Sequence, residues 1–201
     1  MTRFAVFASG RGSNLEALFD ALADHPDGEI VLVASDRRGA KALDRARRRG
    51  VASAVVEPDD AAAMVGLLDE HAVDWVVLAG YLKRIPPAVV ARWRGRILNV
   101  HPALLPRFGG QGMYGMNVHR AVIEAGESES GASVHIVDEE YDRGPVVARR
   151  SVPVEPDDTP ETLAARVLEV EHRLLPAVVA AAAEGRVRVE GDRARIEGDL
   201  E

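Results

Sequence analysis

The chain of 201 residues contains no cysteine, which excludes disulfides, thiolate metal sites and cysteine nucleophiles. Aromatic side chains make up only 4% of it, so Val, Leu, Ala and Ile must fill the core. No apolar run is long enough to span a membrane, and an apolar strand pattern begins at residue 4 without a signal-peptide pattern before it. These absences predict a cytoplasmic protein with no membrane partner.

Lysine is also scarce: Lys41 and Lys83 are the only two, and nearly all the basic charge is arginine. The formal net charge of -7 argues against a general nucleic-acid-binding protein, which would carry an excess of basic charge. The six histidines include no zinc-type pair such as His-Glu-x-x-His. We therefore expect neither a nucleic-acid partner nor a metal ion.

The hydrophobic content of 47% is ample for one α/β domain spanning residues 1–201. In the first half, apolar strands alternate with amphipathic helices, which is typical of a doubly wound, mostly parallel sheet of Rossmann-like type. The predicted strands are 4–8, 30–34, 51–56, 75–79 and 96–100. The predicted helices are 15–23, 40–49, a helix to about residue 71 that Asp59 or Asp60 can cap, and 86–93.

The second half has a different pattern. Residues 101–116 are rich in Gly and Pro and lack periodicity, which predicts a long loop of the kind that is usually functional. Predicted helices at 118–125 and 160–183 flank two strands, 132–137 and 145–154, which an acidic loop joins. Thr159 and Pro160 begin the second helix as cap and first residue. A hairpin over 186–196, turning at Gly191, completes an antiparallel C-terminal extension.

A glycine-rich turn, residues 10–14, lies between the first strand and the first helix. Such a turn lies at the carboxyl edge of the sheet, where glycines and a helix N-terminus favour anions. The pattern is neither a P-loop nor a dinucleotide fingerprint, since it lacks the Gly-Lys-Ser/Thr ending and the third glycine. It predicts either a monophosphate site or an ordinary helix start capped by Ser13.

Asn99 and His101 end the fifth strand and, being two residues apart, point the same way. An amide beside an imidazole could polarise a carbonyl group and move a proton. The alternative is a loop entry where Asn99 caps the chain and His101 makes one structural hydrogen bond. A catalytic His101 would need a carboxylate to hold its tautomer and raise its pKa. The sequence offers Asp138, Glu139, Glu140 and Asp142 in the acidic loop (residues 138–144).

The remaining histidines divide by context. His135 lies within an apolar strand, so it is either buried and hydrogen-bonded or directed towards the site. His119 and His172 lie on predicted helices and are interpreted as structural, and His25 and His71 as solvated.

Five stretches of the chain resemble the phosphoribosylglycinamide formyltransferases, the folate-dependent enzymes of purine synthesis. They occur in the family's order and cover essentially the whole chain: SGRGSNLEAL, VVLAGYLKRI, NVHPALLPRF, GASVHIVDEEYDRGPV and VLEVEHRLLP. NVHPALLP alone would indicate the wider formyltransferase superfamily, and GRGSN makes the match specific.

The resemblance implies transfer of a formyl group from 10-formyltetrahydrofolate, the co-substrate, to the amine of 5-phosphoribosylglycinamide in de novo purine (IMP) biosynthesis. No metal is needed, the partners are these two small molecules, and the chain is a monomer or homodimer. The N-terminal half, about 1–100, would bind the phosphate and the C-terminal half, about 101–201, the folate. The implied ribonucleotide contacts are Gly12, Ser13, Asn14, Leu168, Glu169, Val170 and Glu171, with Glu171 on the ribose hydroxyls.

The resemblance also assigns catalysis to Asn99, His101 and Asp142, with Asp142 keeping His101 protonated near neutral pH. The implied folate-binding residues are Leu82, Lys83, Arg84 and Ile85 on one side, and Asn99, Asp138, Glu139, Glu140, Tyr141 and Asp142 on the other. The chain departs from the family in three places. Two basic residues, Lys83 and Arg84, are both candidates for contact with the folate tail. Residues 57–61 lack an arginine that is often found there, and Gly109-Gly110 has Gly where Pro is common.

Three other functions are weighed against this one. A methionyl-tRNA formyltransferase should carry an additional RNA-binding domain and less acidic charge. A formyltetrahydrofolate hydrolase should carry an N-terminal regulatory domain and has no need of a phosphate turn. A non-enzymatic sugar-phosphate-binding domain would explain the glycine-rich turn but leaves Asn99, His101 and Asp142 without a purpose.

Overall fold

The computed structural model describes residues 1–200. The strands of its main sheet are β1 (Thr2–Phe7), β2 (Gly28–Ser35), β3 (Ala52–Val55), β4 (Trp75–Leu78), β5 (Ile97–His101), β6 (Glu129–Ile136) and β7 (Val146–Pro153). The helices are α1 (Ser13–Leu22), α2 (Lys41–Arg48), α3 (Ala61–Glu70), α4 (Pro87–Arg92), α5 (Met116–Glu124) and α6 (Pro160–Ala183). A hairpin of β8 (Val187–Glu190) and β9 (Arg193–Ile196) follows α6.

The seven strands of the main sheet are ordered β3-β2-β1-β4-β5-β6-β7. Strands β1 to β5 are parallel to one another, whereas β6 is antiparallel to β5 and β7 to β6. The predicted doubly wound, mostly parallel sheet with an antiparallel extension is therefore confirmed. Strand order reverses between β1 and β4, which places the turn after β1 where such sheets bind ligands.

Strand alternation divides the core into two layers. One layer packs Phe4 and Leu98 against α1, α2 and α6. The other packs Phe7 and Ile97 against α3 and α4. Since Asn99 follows Ile97 at an interval of two, it and His101 face the second layer. The alternation of β5 therefore sets which face of the sheet carries the polar residues.

Helix ends follow the predicted capping chemistry. The Asp60 carboxylate accepts the Ala63 N–H at 2.9 Å and caps α3. Thr159 caps α6, where its hydroxyl and that of Thr162 form a reciprocal capping box. Pro160 is the first helical residue, as predicted.

Strand β6 begins three residues before the predicted start at residue 132, and the reason is close packing of its backbone. Glu129 pairs with Pro153 and Gly131 with Ser151. A side chain at Gly131 would collide with the Arg150 carbonyl, so glycine marks a close approach here and not a turn.

The predicted C-terminal hairpin is present and turns at Gly191, which has a φ of 61°. None of the helices within residues 1–200 is both long and apolar enough to cross a membrane. Glu201, the last residue of the predicted domain, lies outside the described residues.

Candidate active site

His101 lies at the end of β5 and is 3% exposed. Its Nε2 is 2.7 Å from the Phe108 carbonyl oxygen, so Nε2 carries a proton and donates it. Its Nδ1 lies 3.5 Å from Oδ2 of Asp142. The long loop after β5 and the acidic loop thus each contact one nitrogen of the His101 imidazole.

Asn99 contacts His135, a residue that the sequence alone could not assign to the core or to the site. Its Nδ2 lies 2.9 Å from Nε2 of His135, and His135 Nδ1 lies 3.0 Å from the Ile136 carbonyl oxygen. Because a carbonyl only accepts, the hydrogen-bond network assigns the proton of neutral His135 to Nδ1. His135 Nε2 then accepts one amide hydrogen of Asn99 and leaves the other free.

His135 also lies close to the Asp142 carboxylate, with its Nε2 3.5 Å from Oδ1 of Asp142. It is buried, and it stands directly opposite Asn99 in the pairing of β5 with β6. The sequence carried one signal for this role, a histidine at an inward position of an apolar strand. Choosing between a core and a site position needed the antiparallel pairing.

Burial lowers the pKa of His101 from its ordinary value, and the nearby Asp142 charge and the Phe108 hydrogen bond oppose this without reversing it. The prediction that Asp142 keeps His101 protonated near neutral pH stays a prediction, in which the Asp142 charge acts for the protonated form and burial acts against it. Burial would raise the pKa of Asp142, yet the neighbouring His135 and His101 imidazoles and the Gly110 N–H together lower it.

The acidic loop holds Asp142 in an unusual backbone conformation. Its φ of 55° lies in the left-handed region, and its Oδ2 accepts the Gly110 N–H at 2.9 Å. A Cβ at Gly109 would lie 3.1 Å from the Asp142 Cβ, and one at Gly144 would collide with the Ile136 carbonyl. Glycine at both positions lets the two loops close on Asp142.

In the glycine-rich turn, Gly12 is the cap residue of α1 and has a φ of 71°. No side chain caps the helix, so the interpretation of Ser13 as an ordinary N-cap is wrong. A Cβ on Gly12 would lie 3.0 Å from the Ala42 Cα, because α2 packs directly against the turn. The first N–H groups of α1 therefore have no side-chain acceptor, as a helix terminus that binds an anion requires.

Asn14 links this turn to α6. Its Nδ2 donates to Oε2 of Glu171 at 2.7 Å, and both residues are buried. The Asn14 Oδ1 is buried without a hydrogen-bond partner. Burial raises the pKa of Glu171, against the opposing hydrogen bond from Asn14.

The other predicted ribonucleotide residues of α6 lie in different surroundings. Val170 is packed in the core, Leu168 is half-buried and Glu169 is exposed. Of the four, Glu171 alone joins the glycine-rich turn through a side chain.

The predicted folate segment, Leu82 to Ile85, follows β4. Leu82 is 43% exposed and its N–H donates to Ser9 Oγ at 2.9 Å, whereas Ile85 is buried. Arg84 is exposed and donates to the Glu139 carbonyl in the acidic loop, and Lys83 is exposed beside it. Asp138 accepts the Glu140 N–H within that loop. The structure thus places the two predicted folate segments opposite each other.

Within residues 1–200, no group of three or more His, Asp or Glu residues is arranged to hold a metal ion. The site combines an amide, two imidazoles and a carboxylate with a glycine-rich turn at the point where strand order reverses. Together with the sheet topology, this arrangement is that of a doubly wound enzyme whose chemistry acts on a carbonyl group.

Comparison with known proteins shows the family of the chain. The formyl transferase family matches residues 2–179, so the chain belongs to that family. It is 38% identical to the phosphoribosylglycinamide formyltransferase of Haemophilus influenzae, covering 98% of this chain and 95% of that one. The chloroplastic phosphoribosylglycinamide formyltransferase of Arabidopsis thaliana is 43% identical, with coverage of 94% and 68%.

Solved structures agree with these relatives. The crystal structure of glycinamide ribonucleotide transformylase 1 from Symbiobacterium toebii has a TM-score of 0.91 at 37% identity, covering 98% of this chain and 95% of that one. A formyltetrahydrofolate deformylase from Pseudomonas syringae has a TM-score of 0.88 at 25% identity. The chain covers 66% of that deformylase, which is therefore the longer protein.

Proposed function

We propose that the chain transfers the formyl group of 10-formyltetrahydrofolate to the amine of 5-phosphoribosylglycinamide, a step of de novo purine biosynthesis. The observation that carries this proposal is the meeting of Asn99, His101 and Asp142 on the face of the sheet that both loops cover. Relatives of nearly the same length carry the name of this activity.

Asn99 is proposed to stabilise the charge that develops during the reaction. The substrate amine attacks the formyl carbon, a C–N bond forms, and the carbonyl oxygen becomes an oxyanion. One Asn99 amide hydrogen is engaged by His135, which fixes the plane of the amide and directs the other towards this oxygen. A donor held in place before the reaction costs no reorganisation when the charge appears.

His101 and Asp142 are proposed to carry the proton. The attacking amine loses one proton, and the folate nitrogen gains one as its bond to the formyl carbon breaks. Burial lowers the pKa of His101 in the free chain, and the Asp142 charge opposes this. The negative charge of the intermediate favours the protonated form of His101, which donates its proton to the folate nitrogen while Asp142 stabilises the imidazolium, and the proton that the amine loses restores it.

The ribonucleotide is proposed to bind between the glycine-rich turn and α6. The unpaired N–H groups after Gly12, with Ser13 and Asn14, would hold the phosphate. The Glu171 carboxylate accepts hydrogen bonds and would take the ribose hydroxyls, while Asn14 fixes its orientation. This pair explains why phosphate and sugar would be bound at one place.

The folate is proposed to lie between residues 82–85 and the acidic loop, with its formyl carbon beside Asn99. Both substrates are small molecules, and the chemistry assigned to these residues calls on no metal. We place the reaction in the cytoplasm, with no nucleic-acid or membrane partner, in keeping with a net charge of -7.

One assay tests the proposal. The purified chain is incubated with 10-formyltetrahydrofolate, with and without the ribonucleotide, and deformylated folate is followed. Product that forms only with the ribonucleotide is expected. Product without it would make the chain a hydrolase, the activity named for the Pseudomonas syringae structure. No product, with the ribonucleotide nevertheless bound, would make it a sugar-phosphate-binding domain.

A further inference from the structure

Arg84 reaches across the cleft from the segment after β4 and contacts the acidic loop. Its Nη2 donates to the Glu139 carbonyl, and its guanidinium carbon lies 5.9 Å from the centroid of the Tyr141 ring. Arg94, just beyond α4, adds an Nη2 that lies 3.5 Å from Oε1 of Glu139. The two arginines hold the outer part of the loop from the same side.

No other residue among 1–200 outside the loop forms a hydrogen bond or ion pair with its outer part, residues 139–141. The base of the loop is held separately, where Gly144 lies against the Ile136 carbonyl. Between these two attachments, Asp142 adopts its left-handed conformation. A residue in that conformation stays there only while its surroundings hold it.

Asp142 needs this support because its contacts with the two imidazoles are long. Its oxygens lie 3.5 Å from His101 Nδ1 and 3.5 Å from His135 Nε2, and its one short hydrogen bond comes from the Gly110 N–H of another loop. A small displacement of the acidic loop would therefore separate the carboxylate from both rings.

We infer that Arg84 is a positioning residue for the transfer: it fastens the acidic loop across the cleft and so keeps Asp142 beside His101 and His135. This inference rests on the proposed function. Its chemistry suits arginine, since one planar guanidinium both donates to a carbonyl and stacks on an aromatic face, whereas lysine supplies only a compact charge. The inference also gives the two neighbouring basic residues different roles. The Arg84 side chain contacts the loop, whereas Lys83 is exposed and available to bind the folate.

The test compares Arg84→Ala and Arg84→Lys with the control Arg92→Ala. Arg92 is an exposed arginine of α4 that pairs with Asp69, away from the cleft, so the control removes the same charge. We expect kcat to fall about tenfold in Arg84→Ala, to recover only partly in Arg84→Lys and to stay unchanged in the control. A residue that only bound folate would change KM and leave kcat intact.

Two further measurements distinguish a positioning role of Arg84 from a role in folate binding. Without its support Asp142 no longer raises the pKa of His101, so the alkaline limb of the kcat profile should move to lower pH in Arg84→Ala. Amide hydrogen exchange over residues 138–142 should also become faster in that variant without any substrate present. An Arg84→Ala protein with wild-type kcat, pH profile and exchange would overturn the inference.

If Arg84→Ala does not fold, Arg94→Ala removes the second attachment and should show the same changes to a smaller extent. Wild-type behaviour in that variant would equally count against the inference. Failure of the proposed function would be seen separately, as the absence of ribonucleotide-dependent product in the wild-type chain.

Discussion

Asn99 has one amide hydrogen on His135, which leaves the other for a substrate oxygen. Replacing it with alanine removes the oxyanion donor and leaves the backbone pairing of β5 with β4 and β6 in place, so Asn99→Ala should fold normally. We expect kcat to fall by ~10²–10³, the usual loss for one such donor. Steady-state kinetics together with a thermal unfolding curve measure both effects. Asn117→Ala, an exposed asparagine of α5, is the matched control, and equal rates in the two variants would remove Asn99 from the mechanism.

Asp142→Asn tests the charge beside His101. The Asp142 carboxylate raises the pKa of His101 against burial, so its loss lowers that pKa further. Because the proposed route needs His101 to hold a proton, kcat should fall and the alkaline limb of its pH profile should move to lower pH. Kinetics across the pH range provide the measurement, with the exposed Asp157→Asn as control. Near-normal turnover in Asp142→Asn would contradict the assigned role.

The same residue has a consequence for stability. Since the pKa of Asp142 in the folded chain is lowered from 3.8, its ionised form stabilises the fold above that value. This contribution is lost as pH falls through the folded pKa. Urea unfolding between pH 3 and pH 6 should therefore show a shallower acid loss in Asp142→Asn than in the wild type. Identical pH dependence in the two proteins would mean that the carboxylate is unpaired in solution.

At the scale of elements, the spacing of apolar residues and the positions of Gly and Pro predicted every strand of the main sheet, the long helix and the hairpin. They misplaced the start of β6 because Gly131 resembles a turn residue, and only the facing Arg150 carbonyl shows why glycine is needed. The site was harder to predict. Asn99 and His101 share a strand, so spacing predicted their common direction, whereas His135 is brought in by pairing between strands. Protonation of His101 depends on burial, which a sequence does not record.

Helices α1 and α6 are coupled by the buried pair of Asn14 and Glu171. Burial raises the pKa of Glu171, so ionising it as pH rises past its unfolded value of 4.5 costs stability. Glu171→Gln should therefore hold its melting temperature better than the wild type at pH 8. It should also raise KM for the ribonucleotide, because an amide is a poorer acceptor for ribose hydroxyls than a carboxylate.

Calorimetry at pH 5 and pH 8, with KM for both substrates, tests this trade between stability and binding. The exposed Glu124→Gln of α5 is the control. A Glu171→Gln variant that loses stability equally at both pH values, with KM unchanged, would show that the carboxylate serves the fold and not the substrate.

At the scale of the whole molecule, charge is distributed unevenly. Residues 36–49, which run from the end of β2 through α2, contain seven basic and two acidic residues in a chain of net charge -7. Four of these arginines form ion pairs, whereas Arg38, Lys41 and Arg48 are exposed and form none with residues 1–200. Helix α2 touches the glycine-rich turn, where the Ala42 N–H donates to the Gly10 carbonyl at 3.3 Å. The positive region therefore borders the proposed phosphate site.

A positive border in an acidic protein should attract a phosphorylated substrate and leave the folate pocket unaffected. In the double variant Arg38→Gln/Lys41→Gln we expect kcat/KM for the ribonucleotide to fall roughly three- to tenfold at low salt, with kcat unchanged. The difference should vanish near 0.5 M salt, where the Debye length drops to a few ångströms. Arg188→Gln/Arg195→Gln removes two charges from the distant hairpin and should leave the salt dependence as in the wild type. If the two double variants follow the same salt curve, net charge alone acts on the substrate, and the placement of α2 beside the turn has no electrostatic role.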